Sequence, residues 1–204
     1  MSSNELLLAT TNPGKLREIK AYLSDIFLCI FSLSNLKIED IFPENGKTFK
    51  ENALRKSLFY SKKWDGLTLA EDSGIEIDAL NAKPGVRSAR FSGPRATDES
   101  NIKKVLNLMK GISPENRKAR FVSCMVLAQK GKIIKEIQEY VEGFIMSEPT
   151  GKLGFGYDPI FYYPPFKKTF AEVLPSEKNK ASHRGRALKR LKIFLRKYLQ
   201  NKKY

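Results

Sequence analysis

Two carboxylates stand side by side in "LAEDSG", where Glu71 and Asp72 follow the strand-like run "LTLA". Adjacent acids at the end of a half-buried strand repel each other unless a cation neutralises them. A hard ion such as Mg²⁺, which takes oxygen ligands and keeps several waters, would do so. Asp-Ser-Gly is also common turn chemistry, so a solvated hairpin turn is the competing reading of the same residues. A second candidate is "TTNPGK": Thr10, Thr11 and Asn12 offer side-chain donors, Gly14 exposes backbone, and Lys15 brings a charge into the first turn of a helix. Positive charge is mildly unfavourable at a helix start, which makes an anion such as phosphate the natural complement. The final helix poses the same problem in "SHRGRAL", where His183 and Arg184 occupy the first turn and His183 is the chain's only histidine. In "GFGYDP", Phe155 lies between glycines whose missing side chains would let a flat ring approach it, as base stacking requires. A Gly-rich turn with a core Phe explains that stretch equally. The glycine order fits no dinucleotide fingerprint, and the chain has no Walker A sequence.

Elements to position these residues can be read from the apolar pattern. "ELLLAT" and "LCIFSL" read as strands on either side of a helix from Lys15. An acidic loop, "IEDIFPENGK", leads to a helix opening at Thr48, with Glu51 in the capping-box position and Phe49, Ala53, Leu54, Ser57, Leu58, Ser61 and Trp64 predicted as its inner face. Asn52 and Lys56 lie on that helix. Lys56 reads as an ordinary surface lysine, although it could supply a further cation. "LTLAE" and "IEIDAL" read as two strands around the turn "DSG". A helix near Asp98 turns Ile102, Val105, Leu106 and Met109 inward. Two long strands follow, "ARFVSCMVLAQ" and "KIIKEIQEYVEGFI", joined at Lys130 and Gly131. The aromatic strand "IFYYPP" comes after the Gly-rich loop, and the last helix starts near His183. Helices alternating with strands predict an α/β fold, and the long hairpin adds an antiparallel lobe.

Composition narrows the functional classes. The 204 residues suit one domain with a sizeable core, spanning 1–204 in two lobes. Thirty-seven Lys and Arg against 22 Asp and Glu give +15, which favours anionic partners. Much of that charge also reads as the solvated face of the C-terminal helix. Cys29 and Cys124 lack metal-type spacing and read as buried free thiols, consistent with a reducing cytoplasm. No apolar run approaches the roughly 20 residues of a membrane span.

Taken together, "LATTNPGKLREI", "GKTFKENALRKS", "LAEDSGIEIDAL", "PGVRSARFSG", "GFGYDPIF" and "TFAEVLPSEKNKASHRGRAL" resemble, in order and from about Leu6 to Leu191, the inosine triphosphate pyrophosphatase family. The resemblance implies a two-lobed α/β fold with a long curved mixed sheet flanked by helices, a homodimer, Mg²⁺ dependence, and hydrolysis of ITP, dITP and XTP to monophosphate and pyrophosphate. By position it implies that Thr10, Thr11, Asn12, Pro13, Gly14 and Lys15 hold phosphates, that Asp72 is catalytic base and metal ligand, and that Ser73 touches substrate. Phe155, Gly156, Tyr157 and Asp158 would form the base platform, with Lys178, His183 and Arg184 completing the pocket. His183 or Arg184 would donate to the purine O6. Two departures stand out. Many members have Asp where this chain has Glu71, and the usual acid pair before "GKTF" is replaced by "PEN", leaving Glu44 as the second metal ligand. The nearest alternative is a Maf-like pyrophosphatase for modified pyrimidines, which would not need "SHRGRAL". A basic nucleic-acid-binding protein is a different class and would need no Mg²⁺.

Overall fold

The structure, a computed structural model, describes residues 5–201. In chain order its regular elements are β1 (Glu5–Leu8), α1 (Pro13–Leu23), β2 (Cys29–Ser32), α2 (Phe49–Ser61), β3 (Leu67–Ile77), β4 (Lys83–Pro84), α3 (Asp98–Leu108), β5 (Lys118–Gln129), β6 (Lys132–Ile145), β7 (Phe161–Tyr163), β8 (Lys168–Thr169), α4 (Pro175–Ala181) and α5 (His183–Asn201). The strands make one eight-stranded mixed sheet in the order β2-β1-β3-β5-β6-β7-β8, with β4 on β3. β1 runs parallel to both β2 and β3, whereas β4 pairs antiparallel with β3, and β7 with β6 and β8. β5 and β6 form a hairpin whose tight turn places both Lys130 and Gly131 at positive φ, as such two-residue turns demand.

Contacts divide the chain into two compact units: Met1–Asp72, Ser123–Glu139 and Arg184–Tyr204, and Ser73–Val122 with Tyr140–His183. In the first unit the period-two alternation of the strands builds a layer on each face. Leu6 and Leu8 of β1 and Leu67 and Leu69 of β3 pack with Ile19 and Leu23 of α1 and with Ala187, Leu188, Leu191, Leu195 and Leu199 of α5. Leu7, Ala9 and Ala70 face the other way, onto Tyr60 of α2 and Leu33. In the second unit Ile75 and Ile77 join Ile102, Val105 and Met109 of α3 and the aromatic cluster of Phe121, Phe161 and Phe170.

Several local expectations need correction. "LTLAEDSGIEI" is one continuous strand rather than two strands around a turn. Gly74 serves close approach, not turning: a Cβ there would lie 2.3 Å from Ser88 Oγ and 2.8 Å from the Gly85 carbonyl oxygen. The buried face of α2 is Phe49, Asn52, Ala53, Lys56, Ser57, Tyr60 and Ser61. Leu54 and Leu58 lie to its side, because the helix packs around two polar side chains that hydrophobicity alone would turn outward. Lys56 is therefore not a surface lysine; it is 5% exposed. Thr48 caps the helix by accepting from the Glu51 N–H at 3.0 Å, but the Glu51 carboxylate accepts from Lys47 N rather than closing the box on Thr48. Cys124 is buried while Cys29 is only partly so, and neither is in a disulfide.

Candidate active site

The alternation that builds the two layers also separates the acids of β3. Leu67 and Leu69 share the α1/α5 face, so Glu71 points there; Ala70 shares the α2 face, so Asp72 points to α2. The two carboxylates are thus not a side-by-side pair, and each acquires its own partners within the first unit.

Glu71 is 1% exposed. Its Oε1 accepts from Ser123 Oγ at 2.7 Å and from Arg184 Nε at 2.9 Å, with Arg184 Nε also 3.0 Å from Oε2. Lys15 Nζ lies 3.9 Å from Oε2. Arg184 is itself buried and gives its Nη1 to Glu18 Oε2 of α1 at 2.5 Å. Burial opposes ionisation of Glu71, yet Arg184 and Lys15, with the Ser123 hydroxyl, bring its carboxyl down to about 2. Burial likewise pulls the Arg184 guanidinium toward neutrality, and Glu71 and Glu18 overcome it, raising its pKa. The protein's own cations therefore neutralise Glu71, where the sequence suggested a metal. Arg184 faces two carboxylates of its own unit, a geometry that fixes Glu71.

Asp72 is 5% exposed, and its Oδ2 accepts from Asn52 Nδ2 at 2.8 Å. Burial pushes its carboxyl above the usual range against the pull of Lys15; the Glu44 carboxylate pushes the same way, and Lys56 and the Asn52 amide oppose. Lys56 Nζ is ion-paired with Glu44 and donates to the Glu71 carbonyl oxygen at 2.7 Å. Burial lowers the Lys15 pKa too, in the company of Lys56 and Arg184 and against the attraction of Glu71 and Asp72. An ammonium so poorly solvated among other cations has a strong electrostatic demand for an added anion.

The loop after β1 presents that ammonium. Asn12 caps α1, its Oδ1 accepting from Lys15 N at 3.0 Å, while Asn12 N donates to Thr10 Oγ1 at 3.2 Å. Pro13 opens the helix, Gly14 is buried, and Thr11 and Pro13 are exposed. The sequence placed Asn12 as a phosphate donor; its oxygen end is committed to the helix.

Asp72 and Glu44 carry carboxylate oxygens, the donor type a hard divalent ion takes, and Asp72 lies in the field of Glu44. Among the described residues no cluster of three or more acidic, His or Cys side chains is placed to hold a metal. Mg²⁺ does not need one, since it is commonly bound by one or two carboxylates with waters and substrate phosphates completing six positions.

The second unit holds the remaining candidates. Ser73, in β3, is partly exposed. Phe155 N donates to Asp158 Oδ2 at 2.9 Å, and the same oxygen receives Lys178, whose Nζ sits 4.8 Å from the centre of the Phe155 ring. Gly156 N donates to Asp98 Oδ2 at 2.6 Å, and the Tyr157 hydroxyl donates to the Ser88 carbonyl oxygen at 2.8 Å. Tyr157, Asp158 and Lys178 are all buried, while Phe155 is partly exposed. Three braces thus hold a loop that offers the Phe155 ring. His183 lies parallel to Phe121, 4.8 Å between centres. Gly154, at φ +78°, is needed here because a Cβ would fall 2.1 Å from Asp158 Oδ2.

Sequence reading missed Glu18, Ser123 and α4. Ser123 did leave a signal, a lone hydroxyl inside the apolar run of β5. So did α4, with Pro175 opening the helix and Glu177 two residues later. Glu18 left none, because an acid on an amphipathic helix usually faces solvent.

The sequence profile of the Ham1 family matches residues 6–194. The dITP/XTP pyrophosphatase of Thermoanaerobacter pseudethanolicus is 42% identical over 198 residues, covering 97% of this chain and all of the relative. That of Bacillus subtilis is 43% identical over 191 residues, covering 94% and 96%. Among solved structures, the Staphylococcus aureus Ham1 protein superposes with a TM-score of 0.84 at 36% identity, covering 95% of this chain and 99% of its own. A HAM1 protein from Coxiella burnetii gives 0.84 at 40%, covering 95% and 98%.

Proposed function

Because the chain belongs to the Ham1 family, we propose that it hydrolyses non-standard purine nucleoside triphosphates, ITP, dITP and XTP, to the monophosphate and pyrophosphate, removing them from the nucleotide pool. The observation that carries this is Asp72: a buried carboxylate of raised pKa, oriented by Asn52, within the field of Lys15 and Lys56.

In this reading Asp72 accepts a proton from the water that attacks the α-phosphorus. Lys15 and the N–H groups at the start of α1 stabilise the departing pyrophosphate, whose charge grows as the bond breaks, so they act more strongly on the transition state than on the ground state. The helix-dipole penalty of Lys15, about 0.3–1 kcal/mol, is small beside the attraction of a multiply charged phosphate. Mg²⁺ held by Asp72 and Glu44 would neutralise and orient the triphosphate oxygens. Arg184 and Glu71 keep Lys15 in place without touching substrate. Phe155 stacks on the base, and His183 donates to O6 of hypoxanthine or xanthine. Adenine carries an amino group there; leaving the donor unpaired costs about 1–3 kcal/mol, which is about tenfold to a hundredfold in selectivity. By resemblance we further propose a homodimer acting in the cytoplasm, with a solution mass twice that of the chain as the expected result of light scattering. No helix of the described residues is long and apolar enough to cross a membrane.

The test compares ITP, dITP, XTP, GTP, ATP and modified pyrimidine triphosphates, with and without Mg²⁺, in ¹⁸O water. The expected result is turnover of the first three only with Mg²⁺, label in the monophosphate, and near loss of turnover in Asp72→Asn. Label only in pyrophosphate, or normal rates in that variant, refutes the mechanism.

A further inference from the structure

Asn52 is 1% exposed on α2, and both ends of its amide are engaged. Nδ2 donates to Asp72 Oδ2 at 2.8 Å; Oδ1 accepts from Gly46 N at 2.7 Å. A backbone N–H can only donate, so Gly46 fixes which end of the amide is oxygen and leaves the NH₂ facing Asp72. The loop comes close enough because position 46 lacks a side chain: a Cβ there would lie 2.5 Å from Asn52 Oδ1. Glu44 is two residues before Gly46, and its carboxylate pairs with Lys56, one turn along the same buried helix face. One face of α2 thus grips β3 and the acidic loop together.

We propose that Asn52 is a positioning residue that sets Asp72 and the Glu44 loop relative to each other, with Gly46 as its partner in the loop. The inference rests on Asp72 being the base of the proposed reaction. Asn52 fixes the carboxylate by one oxygen and so orients the other. It also prevents the loop from moving independently of β3, so a water and a divalent ion meet the two acids at a constant spacing. Misplacement by about 1 Å can cost about a hundredfold in rate, and a clamp of this kind acts on the rate of the bound complex rather than on substrate affinity.

Two variants test this alongside wild type: Asn52→Ala, and Gly46→Ala, which removes no functional group and intrudes on Asn52 from the loop side. Each is assayed for kcat and KM with dITP, and the exchange rate of the position-46 amide is measured by NMR without substrate. Expected for both is a kcat lowered by at least about tenfold with KM within about twofold, and faster amide exchange at residue 46 in Asn52→Ala. If Asn52→Ala does not fold, Gly46→Ala carries the same kinetic expectation. Unchanged kcat, a loss confined to KM, or unaltered exchange at residue 46 overturns the proposal. A wild-type protein that leaves dITP and XTP intact counts instead against the pyrophosphatase reading, and the exchange measurement then decides the clamp by itself.

Discussion

Glu71 and Arg184 are both buried, and each is costly without the other. Removing one partner of a buried ion pair leaves an uncompensated charge, at about 3–5 kcal/mol, while replacing the pair with apolar groups of similar volume is often neutral. Arg184→Met should therefore destabilise the fold by about that amount in urea denaturation, and Glu71→Leu combined with Arg184→Met should recover part of the loss. The recovered variant should remain slow, since Lys15 has lost its counter-ion; recovery of stability together with full turnover would show that the pair has no part in placing Lys15. That Glu71 and Arg184 stand in unusual positions was legible here, but their pairing was not. "LAEDSG" and "SHRGRAL" are conspicuous because they place charge where local rules disfavour it. That Arg184 meets Glu71 and Glu18 follows from where α5 crosses the sheet, which no spacing along the chain encodes.

At the scale of elements, β3 decides the geometry. A turn at Asp-Ser-Gly would have set both acids on one rim; a continuous strand sends them to opposite faces and lets α2 own one and α1 with α5 the other. The sequence favoured the turn because Gly74 looks like punctuation, whereas its role is to admit the Ser88 loop. Ser88 Oγ accepts from Ile75 N at 2.9 Å and donates to the Gly85 carbonyl oxygen, so the strand is tied down immediately after Gly74. Gly74→Ala should consequently cost about 1–3 kcal/mol, as overpacking does, in denaturant titration. Ser88→Ala in the same background should relieve part of that cost by removing the hydroxyl the new methyl would strike. An additive outcome would mean that the Gly85 carbonyl, not Ser88, is the obstacle. Where periodicity was strong the elements were legible: α1, α3, the β5–β6 hairpin and α5 all stand where the apolar pattern put them. α2 was found with its face partly misassigned, because Asn52 and Lys56 are buried for their chemistry.

For the whole molecule the dominant property is charge. At +15 the protein attracts anions of every kind, and a nucleoside triphosphate and a nucleic acid feel the same long-range field. What separates them is where that field acts. Steering affects encounter and is screened over about 8 Å at physiological salt, whereas Lys15 and Lys56 in their proposed role act at contact, in surroundings that exclude much of the solvent. Raising salt from about 0.05 to 0.5 M at saturating Mg²⁺ should therefore lower kcat/KM for dITP several-fold while leaving kcat within about twofold. Duplex DNA should bind with a steep salt dependence, lost at the upper end of that range, and should not alter kcat. Were kcat to fall in parallel with kcat/KM, the two cations proposed to act at the site would be as open to solvent as the surface ones, which the burial of Lys56 and the lowered pKa of Lys15 argue against. Were DNA to bind undiminished at high salt, the positive charge would belong to a specific nucleic-acid surface, and hydrolysis would be one of two functions rather than the reason for the charge.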